Sequence, residues 1–149
     1  MFPVKRILVP TDFSEFSERA LMYAGALAKE SHGKIYLLHV INQGAQQYVT
    51  DYALSPEITK RIENESIVST EANLRSEGKK LSESGGVEIV PLMKKGFPED
   101  EILRVAQEKN IELIVIANHG KTGLRRYPIG TVAEKVLRGS ICPVLLWKS

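Results

Sequence analysis

Glycines near the C-terminus have types and spacing that suit binding of a phosphate group. Gly120 and Gly123 follow a short apolar run, and Gly130 with Thr131 precedes a segment of helical periodicity. Glycine lets a phosphate approach the backbone without a Cβ in the way, and a helix start attracts anions through its amides and dipole. The pattern indicates a phosphate cradle whose helix is capped by Thr131. A long surface turn with left-handed glycines would give the same pattern.

The same loop does not fit a Walker A motif. Gly120, Lys121 and Thr122 imitate the end of that motif, which requires another glycine five residues before the second one. Val115 occupies that position instead. Glycine, two arginines and Pro128 also separate the loop from the helical segment, so a Walker A site is not expected.

The spacing resembles the nucleotide-binding signature of the universal stress protein family, which is Gly, two residues, Gly, nine residues, Gly, then Ser or Thr. Gly120, the nine residues 121–129, Gly130 and Thr131 match this signature. Ala117 stands where the signature has its first glycine. Three of the four fixed positions therefore agree.

The resemblance extends from Ile7 to Leu146 and includes the VPTDFS turn after the first apolar run. It implies a site for an adenine nucleotide, ATP above all, in which Asp12 and Val40 hold the adenosine and the last helix receives the phosphates. Mg²⁺ or Mn²⁺ would bind through the phosphates rather than to protein ligands. The residues that the resemblance assigns to the site are Pro10, Thr11, Asp12, Val40, Ala117, Asn118, His119, Gly120, Lys121, Gly130, Thr131 and Val132.

Short apolar runs that alternate with helical patterns must position these residues. The predicted strands are 5–10, 34–41, 87–93, 113–117 and 142–147, and the alternation predicts an open five-stranded parallel sheet with helices on both faces. The resemblance implies strand order 3-2-1-4-5, as in adenine-nucleotide alpha-hydrolase-like folds. Its switch point would bring Asp12 beside the loop from Ala117 to Thr131.

Helix boundaries come from caps and glycines. Ser14 or Asp12 can cap the first helix, so by chemistry alone Asp12 is a cap rather than a ligand. The second helix begins at Ser55 and Pro56 and ends at 85–86. Its predicted apolar positions are Ile58, Ile62, Ile67, Leu74 and Leu81. Residues 42–53 have no clean period and are predicted to form a loop over the site.

Composition bounds the domain count and the partners. The chain has 149 residues, 43% of them hydrophobic, which fits a single domain over 1–149. Twenty basic and 18 acidic residues leave a net charge of +2, so neither nucleic acid nor a membrane is an expected partner. Cys142 is the single cysteine and is predicted to be buried. No apolar run reaches 18 residues, so we expect a cytoplasmic protein.

The last predicted strand suggests how two copies would associate. Val144, Leu145, Leu146 and Trp147 would form an uncovered apolar sheet edge. Pairing the edges of two copies around a two-fold axis would cover it. We therefore expect a homodimer through this strand.

Three functions are compatible with the sequence. The favoured one is an ATP-binding, homodimeric stress-response module without catalysis. A second is a slow Mg²⁺-dependent ATP hydrolase or phosphotransferase with His119 or Asp12 as the base, although no Walker-type metal aspartate is evident. A third is a nucleotide-free dimerisation module, which Ala117 in place of glycine motivates.

Overall fold

The computed structural model describes residues 3–42, 55–120 and 129–148. Within these ranges the strands are β1 (Arg6–Pro10), β2 (Lys34–Asn42), β3 (Glu88–Gly96), β4 (Leu113–Ala117) and β5 (Val144–Trp147). The helices are α1 (Glu15–Ser31), α2 (Pro56–Gly85), α3 (Pro98–Glu108) and α4 (Thr131–Gly139). Most of the loop predicted at 42–53 lies outside the described residues, and so does Lys121.

All five strands are parallel and their order is β3-β2-β1-β4-β5, which confirms the predicted α/β sheet. Ile7 of β1 is in register with Ile35 on one side and with Leu113 on the other. The chain therefore moves outward from β1 to β3, then crosses back to β4 on the opposite side. Beyond the ends of β1 and β4 the connections diverge, and such a crevice is where open α/β sheets bind ligands.

Alternate residues of the strands enter two cores, one on each face of the sheet. In β1, Ile7 and Val9 pack against α1 and α2, whereas Leu8 packs against α3 and α4. All three side chains are fully buried. Because both faces are covered, the strands are apolar along their whole length rather than alternately polar.

Helix α1 begins and ends with conventional signals. The Ser14 Oγ atom accepts a hydrogen bond from the backbone N–H of Ser17, so Ser14 is the N-cap, rather than Asp12. The helix ends at His32, which has a left-handed backbone with φ of 54°. Ala20, Ala24 and Ala28 are fully buried on the inner face of the helix.

The edge strands differ from the predicted ones. β3 continues through Lys94 and Lys95 to Gly96, because β2 also extends to Asn42 and the two strands stay in register to that point. The prediction that the strand closes before these lysines is wrong. β5 begins only at Val144, and residue 142, predicted to be a buried cysteine at its start, is only half-buried.

The apolar positions predicted for α2 are only partly correct. Leu74 is buried, but Ile58 and Ile62 are 48% and 52% exposed. A helix of 30 residues is about 45 Å long, whereas the nine residues of β2 span only about 30 Å, so the sheet cannot cover the whole helix. Among the helices of the described residues, none combines the length and the apolar character needed to cross a membrane.

A carboxylate fastens the opposite, amino-terminal ends of β1 and β4. Glu112, just before β4, accepts hydrogen bonds from the backbone N–H groups of Lys5 and Arg6 at 2.7 and 2.8 Å. Desolvation by burial opposes ionisation of Glu112. The two amides, with the charges of Arg6 and Lys5, outweigh that effect and hold the pKa of Glu112 below its ordinary value.

We predict that Glu112→Gln lowers the free energy of unfolding at neutral pH by about 1 kcal/mol or less, because the group is partly exposed. A lowered folded-state pKa stabilises above the unfolded pKa, and this stability is lost as pH falls through the folded pKa. Urea unfolding followed by circular dichroism should therefore show the two proteins differing at neutral pH and converging at an acidic pH below the folded-state pKa of Glu112. Glu83→Gln, at an exposed ion pair on α2, is the control and should change little. An equal deficit at both pH values would contradict this role.

Candidate functional site

The turn after β1 and the loop after β4 meet at the carboxyl end of the sheet. Gly120 lies against the Asp12 carboxylate so closely that a Cβ on Gly120 would overlap the Asp12 Oδ2 atom. The backbone N–H of Gly130 donates to the carbonyl of Asn118 at 2.8 Å. The structure thus brings together Asp12 and both ends of the glycine loop, as the topology predicts.

The backbone after β1 is held on both sides. The N–H of Thr11 donates to the Leu38 carbonyl at 2.8 Å, and the Nδ1 atom of His39 donates to the Thr11 carbonyl at 2.8 Å. The ring of His39 packs on that of Phe13, with centroids 4.6 Å apart. Phe13 itself has a left-handed backbone with φ of 64°, which turns the chain sharply into α1. His39 therefore supports the turn.

The Asp12 carboxylate is oriented by the turn it begins. Its Oδ1 atom accepts the backbone N–H of Ser14 at 3.0 Å and faces the Ser17 hydroxyl at 3.1 Å. Its Oδ2 atom is the one beside Gly120. Asp12 thus fastens the turn with one oxygen and places the other at the mouth of the crevice.

The loop after β4 starts as a continuation of the sheet. Ala117 is in register with Trp147 of β5, and its methyl packs against the core shared with α1. The N–H of Asn118 donates to the Trp147 carbonyl at 2.9 Å, and Asn118 is buried. The methyl of Ala117 is therefore accommodated by the core.

His119 follows Asn118 in the loop after β4, and its ring is partly buried in the protein. Its ring meets Phe16 edge-on, and its Nε2 atom lies 3.2 Å from the Asn118 side-chain nitrogen, a geometry in which Nε2 accepts. In the neutral ring the proton then belongs to Nδ1. That Nδ1 atom is buried and has no hydrogen-bond partner within the described ranges.

The start of α4 corrects one expectation. Gly130 is the N-cap residue, with no side-chain cap, and Thr131 is the first residue of the helix rather than its cap. The φ of Gly130 is −74°, which any residue adopts, so backbone strain does not require glycine here. Close packing does: a Cβ would lie 2.6 Å from the Asn118 carbonyl oxygen. The first-turn amides of α4, including that of Val132, have no partners inside the helix.

Val40 lies beyond the end of β1. Pro10 is the last residue of β1 and is in register with Leu38 of β2, and β2 continues for several residues. In a parallel ladder the hydrogen-bonding side alternates from residue to residue, so Val40 directs its N–H and C=O to the same side as Leu38. That is the side of β1, which has already ended.

Sequence inspection missed Glu77, because the charges of α2 suggest a solvated face. The carboxylate lies next to the buried Gly78, and both of its oxygens are 3.1 Å from the Thr11 hydroxyl. Its position beside Leu74 and Gly78, which are buried, is the feature that could have indicated a contact with the core. A side chain of α2 thus contacts the turn after β1.

Burial is the main reason that the pKa of Glu77 lies above its ordinary value. The hydrogen bond from Thr11 acts against that increase. The neighbouring charges of Glu18 and Asp12 raise the pKa further, and Lys80 lowers it. In the described part of the chain, no three His, Cys, Asp or Glu residues are grouped to hold a metal ion.

The sequence and the structure are similar to those of known proteins. A family-wide sequence model described as the universal stress protein family matches residues 3–148. The universal stress protein MJ0577 of Methanocaldococcus jannaschii is 32% identical over 153 residues, which cover 97% of this chain and 94% of the relative. The solved structure of MJ0577 has a TM-score of 0.85 at 30% identity, and the match covers 99% of this chain and 98% of that one.

Two more distant structures contain nucleotides. A universal stress protein in complex with cAMP has a TM-score of 0.69 at 24% identity, covering 97% of both chains. The universal stress protein of Archaeoglobus fulgidus in complex with dAMP has a TM-score of 0.67 at 21% identity, covering 97% of this chain and 98% of that one. At these identities the likeness concerns the fold alone.

We predict that Gly120→Ala destabilises the protein by about 1 to 3 kcal/mol, because the new methyl must displace the Asp12 carboxylate or the loop. In an Asp12→Ala background the same change should cost much less, and urea unfolding of the four proteins measures that coupling. Gly85→Ala is a suitable control, since its methyl would meet nothing closer than 3.7 Å. Additive effects of the two substitutions would contradict the contact.

Proposed function

The chain belongs to the universal stress protein family, and we propose that it acts as a cytoplasmic, homodimeric module of the stress response that binds ATP. The observation that carries the proposal is the contact between Asp12 and Gly120 beside the start of α4. It supports a site in which the Asp12 carboxylate and the backbone amides of α4 bind different parts of one ligand. Adenosine carries donors that suit the carboxylate, and phosphates carry oxygens that suit the amides.

Two features support the adenosine end. Asp12 is held by Ser14 and Ser17, so its carboxylate does not have to be ordered when a ligand arrives. The backbone of Val40 offers one donor and one acceptor past the end of β1, which is the pair that the edge of an adenine ring requires. We propose that Asp12 accepts from the ribose or the base and that Val40 pairs with adenine. Pro10 and Thr11 would line the same wall.

Two other features support the phosphate end. The nine-residue helix α4 begins at the crevice with amides and a dipole that favour anions, and Gly130 brings that start close to Asn118. The Nδ1 atom of His119 supplies a further buried donor. We propose that Gly130, Thr131 and Val132 receive the phosphate tail. Mg²⁺ or Mn²⁺ would then be held by phosphate oxygens.

We predict that Gly130→Val abolishes ATP binding and that Thr131→Ala weakens it about 10- to 150-fold. At position 130 a side chain would collide with the Asn118 carbonyl and push the helix start out of place. At position 131 only one hydrogen bond to a charged group is lost, and Thr131→Ser, which keeps the hydroxyl, should bind almost normally. Calorimetric titration with ATP measures all three, with circular dichroism to confirm folding.

A folded Gly130→Val protein that bound ATP at wild-type strength would remove the start of α4 from the site. The same samples allow a test of catalysis. Release of phosphate over many turnovers would show that the protein is an ATP hydrolase rather than a binding module.

We also propose that two copies pair through β5, which is an edge strand. Its side chains are half-buried: Val144 and Leu146 pack on one face of the sheet, Leu145 and Trp147 on the other. The ring of Trp147 packs against Tyr23 of α1, with centroids 4.9 Å apart. An apolar strand of this kind is self-complementary across a two-fold axis, and pairing would remove an exposed edge.

We predict that Val144→Lys converts a dimer into a monomer, because it places two like charges at the paired edge. Sedimentation velocity at micromolar concentration checks the mass, and circular dichroism checks that the variant is folded. Lys135→Glu on α4, outside β5, is the control and should leave the mass unchanged. A wild-type monomer, or a folded variant that remained dimeric, would exclude β5 as the interface.

A further inference from the structure

We propose that Glu77 is a positioning residue of the nucleotide site: through the hydroxyls of Thr11 and Ser17 it governs the Asp12 carboxylate, and the site binds nucleotide more tightly when Glu77 carries a proton. This inference rests on the proposed function, since it assigns a regulation to the same site. Glu77 is on α2, outside the motifs that the sequence analysis singled out.

A continuous chain of short contacts joins Glu77 to Asp12. Both carboxylate oxygens of Glu77 lie 3.1 Å from the Thr11 Oγ1 atom. The same Thr11 atom is 3.1 Å from the Ser17 Oγ atom, which is in turn 3.1 Å from the Asp12 Oδ1 atom. Thr11 and Ser17 are 5% and 3% exposed, so water has little access to replace either link.

The number of protons in this chain decides what Asp12 receives. Thr11 and Ser17 have one hydroxyl proton each, and the N–H of Phe13 already donates to Thr11 Oγ1 at 3.1 Å. When Glu77 is ionised, it takes the proton of Thr11. The single proton of Ser17 then has three acceptors within reach, namely Thr11, Asp12 and the Ser14 carbonyl at 3.0 Å, so at least one contact of the chain has no hydrogen in it.

A proton on Glu77 completes the chain. Glu77 then donates to Thr11, whose own proton becomes available for Ser17. Ser17 in turn donates to Asp12, and every oxygen–oxygen contact of the chain contains one hydrogen. Protonation of Glu77 therefore favours donation from Ser17 to Asp12 and strengthens the hold on a carboxylate that the Ser14 N–H already orients.

Charge acts in the same direction as hydrogen bonding. Among the described residues, the charged groups that face Glu77 are Asp12 from the turn, Glu18 from α1 and Lys80 from α2 itself. Two of these three are acidic, and ATP would add further negative charge to the crevice. Neutralising Glu77 removes a like charge from the neighbourhood of both the carboxylate and the ligand. Because burial raises the pKa of Glu77, this proton is exchanged closer to neutral pH than an ordinary glutamate would allow.

The test compares wild-type protein with Glu77→Gln, which keeps the size and remains neutral at every pH. ATP titrations from about pH 4.5 to about pH 8 should show that the affinities of the two proteins converge toward the acidic end. At the alkaline end the wild-type protein should bind several-fold more weakly than the variant. Protonation of ATP itself affects both proteins equally, so it cancels in the ratio of their affinities. Glu71→Gln, at an exposed position of α2, is the matched control and should follow the wild type throughout.

Two readouts separate positioning from a merely structural role. Titration in buffers of different ionisation enthalpy should show that wild-type protein takes up more protons on binding than Glu77→Gln does. Thr11→Val, which interrupts the chain but keeps Glu77, should lose most of the pH dependence, and Thr11→Ser should retain it. Full pH dependence in a folded Thr11→Val protein would overturn the role of the hydroxyl chain.

The outcomes also distinguish this inference from the proposed function. Failure of the wild-type protein to bind ATP at any pH would overturn both. If the wild-type protein binds ATP but the ratio of its affinity to that of Glu77→Gln does not change with pH, only the role of Glu77 is overturned.

Discussion

The close approach of the turn after β1 to the loop after β4 is the constraint on which the rest of the site depends. Two glycines permit it: Gly120 touches the Asp12 carboxylate, and Gly130 touches the Asn118 carbonyl. Neither contact leaves room for a Cβ. Glycine is therefore required at both positions because two segments approach closely. A left-handed backbone, which is the more common reason for glycine, is not the cause here. The parallel order of the sheet supplies this proximity, because β1 and β4 are neighbours that the chain reaches in separate crossovers.

Most of the fold follows from local patterns in the sequence. The predicted boundaries that were wrong depend on neighbouring parts of the chain. β4 ends at Ala117 as predicted, because its apolar run stops there. β3 runs three residues farther than its apolar run, since Lys94 and Lys95 are paired with a long β2. Strand length at an edge is set by the partner, which a single segment does not reveal. Likewise, Thr131 resembles a cap in sequence, but the turn into the helix is made one residue earlier, at Gly130.

The segments of the candidate site that form a contiguous motif were recognisable in the sequence, whereas contacts that depend on packing were not. The glycine loop and the acidic turn were recognisable because each occupies one short stretch. Glu77 was not, because its contact with Thr11 joins residues 66 positions apart and α2 is rich in exposed charges. The burial of Gly78 and Leu74 on the same side of the helix distinguishes Glu77 from those charges. The role of a carboxylate among the apolar positions of a long helix is therefore visible in the structure but not in the hydrophobic periodicity of the sequence.

Glu77 also shows how stability and binding can be linked through one proton. Its pKa is raised in the folded protein, so between the unfolded and the folded pKa the folded state holds a proton that the unfolded chain has released. The associated stability is complete below the unfolded pKa and is lost as pH rises through the folded value. A neutral glutamine would avoid that loss, so stability alone does not explain a glutamate at this position. The proposed hydroxyl chain explains the glutamate, because the proton that stabilises the fold also supplies a hydrogen bond toward Asp12. Acidification would then tighten the turn and the nucleotide site together.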